Sequence, residues 1–220
     1  MGGRGRGPRA GPALGERVAL RQEARRRQVL EAAVGVFSER GYRATTMSEV
    51  AAAVGMGKAS LYHYVGSKEE ILVELYEEVL RENVIAARRI ADSERSALDA
   101  LHELLADRVA YTCRNQRLLR VFFEEEAELP PRHQARLVAT RREYEQTLQD
   151  LLARGVEAGE LTLPTAPTIF ANAALGAANW TYKWFRPDGP LTPEQLGAQI
   201  ADLLLAAVRD PGMDRRRRQP

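Results

Sequence analysis

Residues 46–70 read TMSEVAAAVGMGKASLYHYVGSKEE. Thr46 followed by Glu49 is a capping-box pair: the hydroxyl accepts from the Glu49 amide while the carboxylate reaches back to the Thr46 amide. The pattern predicts a short helix over 47–54 that turns Val50, Ala51 and Val54 inward. Gly55 supplies the permissive backbone that a sharp inter-helix turn needs. A second short helix is expected over 58–64 with Leu61 inside, and Ser67 with Glu70 repeats the capping pair at the head of a longer helix. Two caps, a glycine turn and a polar-aromatic second helix in so short a span make a helix-turn-helix. The segment is built to read DNA.

Residues 22–75 resemble the DNA-binding domain of the TetR family of one-component transcriptional regulators. The match is carried by Val36, Phe37, Gly41, Thr45, Thr46, Val50, Ala51, Gly55, Leu61, Tyr62, His63, Tyr64 and Lys68. Val65-Gly66 departs from the phenylalanine and small or proline residue that the family often has there. In such a motif the recognition helix lies in the major groove, its N-terminal part against base edges. Lys58 and Ser60 are therefore candidate base or phosphate donors, and Tyr62 and His63 candidate donors to phosphate oxygens. Lys68, at a helix start, is expected near the DNA backbone. Tyr64 either joins them or packs the three-helix core. Thr46 and Ser48 would anchor phosphate, since hydroxyls and helix N-terminal amides suit an anion.

Charge agrees with the motif. The net charge of +2 divides into +7 over residues 1–68 and −5 over 69–220. A basic N-terminal third is the electrostatic footprint of a phosphate-binding surface, and an acidic remainder is repelled by DNA. With 220 residues and 45% hydrophobic content the chain can bury a sizeable core. No apolar run approaches the ~20 residues of a membrane span, and the basic start lacks the apolar stretch of a secretory signal. The lone Cys113 excludes an internal disulfide framework and suits a reducing cytoplasm, where the protein is expected.

Periodicity predicts about nine helices and no strand, an all-α protein. Residues 1–20, rich in Gly, Arg and Pro, are expected to form a disordered basic arm. Residues 21–68 would be the three-helix DNA-binding domain, 69–209 an effector-binding and dimerisation domain, and 210–220 a basic tail carrying Arg215–Arg218. The long helix beginning near Ser67 would join reader to pocket. The acidic run Glu124, Glu125, Glu126, Glu128 reads as a solvated helix end. The histidines, His63, His102 and His133, are scattered without ligand spacing, so no metal or cofactor is expected. No pairing of nucleophile with base appears, and the chain is not read as an enzyme.

The segment 171–185, ANAALGAANWTYKWF, joins small residues to an aromatic cluster. Small residues let another helix approach closely, and aromatics supply buried area with a polar handle. The TetR resemblance implies that the last two helices form a four-helix interface in a homodimer, with Leu175, Ala178, Leu196, Ile200, Leu203 and Leu204 as candidates. Internal core is the other reading of the same residues. Residues 179–196 are also similar to the C-terminal region of family members that control fatty-acid, aromatic or sterol breakdown and respond to acyl-CoA thioesters. That similarity makes Phe122, Phe123, Trp180 and Trp184 candidates for holding an acyl group, and Arg117, Arg120 and Arg141 candidates for the nucleotide phosphates. The expected function is a homodimeric repressor that binds a pseudo-palindromic operator and is released by a small effector. The alternative is an effector-independent dimeric DNA-binding or architectural protein, and an internal cavity of roughly several hundred Å³ would separate the two.

Overall fold

A computed structural model describes residues 14–208. Its elements are α1 (Leu14–Arg40), α2 (Met47–Val54), α3 (Lys58–Leu61), α4 (Lys68–Ala91), α5 (Ala97–Arg114), α6 (Gln116–Glu124), a 3₁₀ turn (Glu126–Glu128), α7 (Pro131–Glu157), α8 (Pro167–Trp184) and α9 (Pro193–Ala206). The described residues thus form nine α-helices and no strand, the all-α class expected. No described helix is long and apolar enough to cross a membrane. The chain divides into two compact units between Ile71 and Leu72, inside α4.

In the first unit, α1 starts at Leu14, so residues 14–20 are helical and not part of a disordered arm. From Leu14 the composition changes to Leu, Glu, Ala, Arg and Gln, which favour helix even on an exposed stretch. Residues 1–13 and the basic tail lie outside the described residues. The core is built from Val29, Ala33 and Phe37 of α1, Val50 and Ala51 of α2, and Leu61, Val65 and Ile71 beyond them, all at most 2% exposed. Phe37 meets Tyr42 edge-on, ring centres 5.2 Å apart. Gly55, at φ +71°, closes α2 in the left-handed region, where a side chain would be strained.

In the second unit α5 is central, packing against α7, α8 and α9. Leu101, Leu104 and Leu105 of α5 join Leu148, Leu151 and Leu152 of α7, Ala174 of α8, and Ala201 and Leu205 of α9 in one buried cluster. Gly197 sets the closeness of α9 to α5. A Cβ built there would lie 2.4 Å from the Ala106 carbonyl oxygen, so the two backbones touch only because that position has no side chain. Pro131, Pro167 and Pro193 each stand in the first turn of a helix, where the missing amide costs nothing.

Candidate DNA-reading surface and effector pocket

At the N-terminus of α2 the capping box forms as its spacing predicts. Thr46 Oγ accepts from the Glu49 amide (3.3 Å), and the Glu49 carboxylate accepts from the Thr46 amide (2.7 Å) and hydroxyl (2.9 Å). Arg40 Nη1 holds the other carboxylate oxygen at 2.5 Å. The Thr46 amide, then its hydroxyl, hold the Glu49 carboxyl below its usual pKa, with Arg40 acting in the same direction. Thr46 and Ser48 are both exposed, but the Thr46 hydroxyl is already engaged with Glu49.

The second reader helix is shorter than its sequence suggests. α3 stops at Leu61, and the chain continues in tight turns: His63 N–H donates to the Ser60 carbonyl (3.3 Å) and Tyr64 N–H to that of Leu61 (2.9 Å). Leu61 and Val65 are pulled into the core, which closes the turn and leaves Lys58, Ser60, Tyr62 and His63 exposed on the other side. Tyr62 is 46% exposed. Tyr64 is half-buried, and its carbonyl accepts from Arg26 Nη1 at 2.5 Å. The second cap is displaced by one residue. Ser67 Oγ accepts from the Glu70 amide (3.0 Å), but the Glu70 carboxylate takes the Gly66 amide (2.8 Å), not that of Ser67, and also Arg26 (3.3 Å).

Lys68, expected beside the DNA backbone, is turned inward. Its ammonium donates to the carbonyls of Tyr42 (2.7 Å), Thr45 (2.9 Å) and Arg43 (3.3 Å) and sits 4.3 Å from the centre of the Tyr42 ring. An ammonium has three donors. All three serve the turn that leads into α2.

In the second unit α6 brings an aromatic chain together. Tyr76 of α4 stacks on Phe122 (4.5 Å), which meets Phe123 edge-on (5.1 Å), and Phe123 stacks on Tyr182 of α8 (5.3 Å). Tyr76 also donates its hydroxyl to the Phe122 carbonyl. Beside this chain lies a cavity of about 290 Å³, lined by three of the candidate effector residues, Phe122, Phe123 and Arg141, and by Leu80, Asn83, Arg108, Tyr144, Glu145, Asn172, Leu175, Gly176 and Asn179.

Four of the residues expected at an effector do not line it. Arg117 and Arg120 lie on the exposed face of α6, opposite Leu119 and Phe122. Trp180 and Trp184 are 60% and 49% exposed, because α8 turns Asn172, Leu175, Gly176 and Asn179 to the cavity and the tryptophans to a neighbouring stripe. The residue that sequence reasoning misses is Arg108, 8% exposed. Its signal is present: it follows Leu101 by seven and Leu104 by four, on the apolar face of α5.

The candidate interface residues also divide. Ala178 and Leu196 are buried in a cluster with Val109, Cys113 and Phe185. Ile200 packs on that cluster, and Leu175 and Leu204 on the larger one. Within the chain Ala178 and Leu196 are buried and the other three are partly buried against these clusters, because α8 and α9 turn apolar faces to α5. Only Leu203, 72% exposed, points away from it. On α8 the outward apolar positions are Ile169, Ala173, Ala177, Trp180 and Trp184, recurring every three or four residues. Their spacing is the signal that sequence offers for them.

Comparison with known proteins accounts for both units. Residues 29–75 match the model described as bacterial regulatory proteins, tetR family. Residues 94–208 match the tetracyclin repressor-like C-terminal domain. The chain is similar to the HTH-type transcriptional repressor KstR2 of Mycobacterium tuberculosis, 29% identical over 200 residues that cover 90% of this chain and 100% of the relative. Among solved structures it resembles the TetR family regulator PfmR from Thermus thermophilus, at 33% identity and a TM-score of 0.74 over 81% of this chain and 97% of that one. It also resembles AibR, solved in complex with isovaleryl coenzyme A and operator DNA, at 29% identity and a TM-score of 0.72, covering 81% and 97%.

Proposed function

This chain belongs to the TetR family of bacterial regulatory proteins, and from that premise we propose that it is a homodimeric repressor which leaves a pseudo-palindromic operator when a CoA thioester occupies its second unit. The observation that carries the effector reading is the cavity of about 290 Å³, with aromatic walls and polar groups converging on it. An architectural protein whose helices served only to dimerise would have no use for such a space. The volume suits an acyl group and is too small for a whole coenzyme, so the nucleotide stays outside. AibR, with its bound isovaleryl coenzyme A, supports the ligand class. Phe122 and Phe123 flank the acyl group, and Arg141 is the arginine nearest to it among those expected to hold phosphate.

A single reader spans too few base pairs to select an operator. Two-fold symmetry sets two of them one helical turn, ~34–36 Å, apart. Release requires that the effector favour the unbound conformation by roughly 10⁴-fold, about 5.5 kcal/mol, for a clean switch. The division between the units falls inside α4, which makes that helix the covalent route by which occupancy reaches the reader.

The test is fluorescence anisotropy on an operator selected from random duplexes. A thioester from a panel of short, long and polycyclic acyl groups is expected to weaken binding at least about tenfold, and the matching free acid far less. If no thioester in the panel binds or releases the operator, the effector-independent reading replaces this one.

Tyr62 and His63 are both exposed just after α3. Tyr62→Ala and His63→Ala are each expected to cost about 1–2 kcal/mol of operator binding, roughly five- to thirtyfold. Circular dichroism and sedimentation should be unchanged, since neither ring supports the core. Wild-type affinity in both variants would remove them from the reading surface.

A further inference from the structure

Within the proposed effector cavity one charged group has no ion-pair partner among the described residues. Arg108 is 8% exposed and lines the space. Among the described residues the one hydrogen bond of its side chain runs from Nε to Asn179 Oδ1, at 2.8 Å. Its guanidinium lies 5.7 Å from the centre of the Tyr144 ring. Neither partner is an anion: burial pushes the Tyr144 phenol up to about 12, so it stays neutral. Of the other charged groups on the wall, Arg141 has the same sign and is itself paired with Glu126 at 2.8 Å, and Glu145 forms no ion pair with Arg108.

Removing a guanidinium from water without a carboxylate to receive it is expensive. The group cannot shed its charge, because arginine remains protonated in proteins. Burial lowers its pKa, against the smaller opposing effects of Tyr144, Tyr111 and the nearby Asp107 carboxylate, which makes no ion pair with it. A neutral Leu or Met would fill a purely apolar acyl site at less cost. Asn179 fixes Nε and so orients the fork, leaving the two terminal nitrogens as paired donors. A carboxylate matches that pair in geometry and charge. Around them, Phe122, Phe123, Leu80 and Leu175 offer the apolar surface that a carbon chain needs.

We infer that the effector carries a carboxylate on the part that enters the cavity, and that Arg108, oriented by Asn179, receives it. The inference rests on the cavity being the effector site. With a CoA thioester it specifies the monothioester of a dicarboxylic acid, whose free carboxylate lies at the far end of the acyl chain. A free carboxylic acid presents the same group without the coenzyme.

Calorimetry on the full chain with four probes, hexanoyl-CoA, adipoyl-CoA, hexanoate and adipate, tests it. Adipoyl-CoA is expected to bind at least about tenfold tighter than hexanoyl-CoA. Arg108→Gln should reduce that preference to within about twofold, Arg108→Lys should retain part of it, and Asn179→Ala should weaken it severalfold. A melting curve accompanies each variant, and if Arg108→Gln does not fold, Arg108→Lys and Asn179→Ala decide.

The outcomes separate the two readings. Hexanoyl-CoA binding as tightly as adipoyl-CoA, or a preference that survives in Arg108→Gln, overturns the carboxylate inference and leaves the thioester reading standing. Free acids that bind through Arg108, with no thioester binding, support the inference and overturn the thioester. If none of the four binds, both fall.

Discussion

Replacing Leu203 with glutamate is expected to yield a folded monomer whose operator affinity is lower by roughly a thousandfold, the scale that separates specific from non-specific binding. Leu203 is 72% exposed on α9, while Leu196, Ile200, Ala201, Leu204 and Leu205 of that helix pack on the internal clusters. α8, which also lies against α5, presents Ile169, Ala173, Ala177, Trp180 and Trp184 outward at a helical period. Exposed apolar rows of this kind mark an interaction surface. The alanines allow helix axes to approach, and the two tryptophans supply large buried area once covered. A second copy is the partner proposed, because a pseudo-palindrome demands two readers related by a two-fold axis. A carboxylate placed in such a contact is buried without a partner, which association cannot offset. Leu204→Glu serves as the contrast. Leu204 packs on the internal cluster, so a charge there should lower the melting temperature of the chain itself. Sedimentation decides the matter, with Ala177→Glu as the companion from α8. Intact dimers at micromolar concentration in both Leu203→Glu and Ala177→Glu would place the interface elsewhere.

Legibility in the sequence follows local spacing. The Thr46–Glu49 cap, the Gly55 turn and the burial of Leu61 are fixed within a few residues of one another, and each appears in the structure as its spacing predicts. Lys68 escapes such reading because the carbonyls it holds lie 23 to 26 residues earlier in the chain. Periodicity along one helix contains no trace of them. The start of α1 is obscured because Gly and Pro near the beginning of the chain outweigh the helix formers that follow Pro12. Trp180 and Trp184 show a different limit. An aromatic residue on a helix serves a pocket or an interface equally well, and only the angular position of the cavity on α8 separates the two. Arg108 resembles one more surface cation in the sequence, although an arginine on the apolar face of α5 could not be solvated there.

Lys68→Met is the second large effect, and it discriminates between two roles for one residue. As a phosphate contact, Lys68 would contribute one released counterion, and its loss would reduce the salt slope of binding by about 0.9. The structure commits the ammonium instead to Tyr42, Arg43 and Thr45, the turn that positions Thr46 and the start of α2. Hydrogen bonds from a charged donor are worth roughly 1.5–3 kcal/mol each, and water recovers much of that at this half-buried site. A net loss of about 3 kcal/mol is therefore expected in the stability of the first unit. With the turn released, the reader is held less firmly, and operator affinity should fall by a factor on the order of 30–100. Specific binding should suffer more than non-specific binding, because geometry is lost and charge at the DNA is not. The salt slope should stay at its wild-type value. Lys58→Met provides the comparison: Lys58 is exposed at the head of α3, and its loss is expected to flatten the slope by about 0.9 with no change in melting. If Lys68→Met flattens the slope as Lys58→Met does and leaves stability untouched, Lys68 reaches the DNA in the complex and the turn is held by other means.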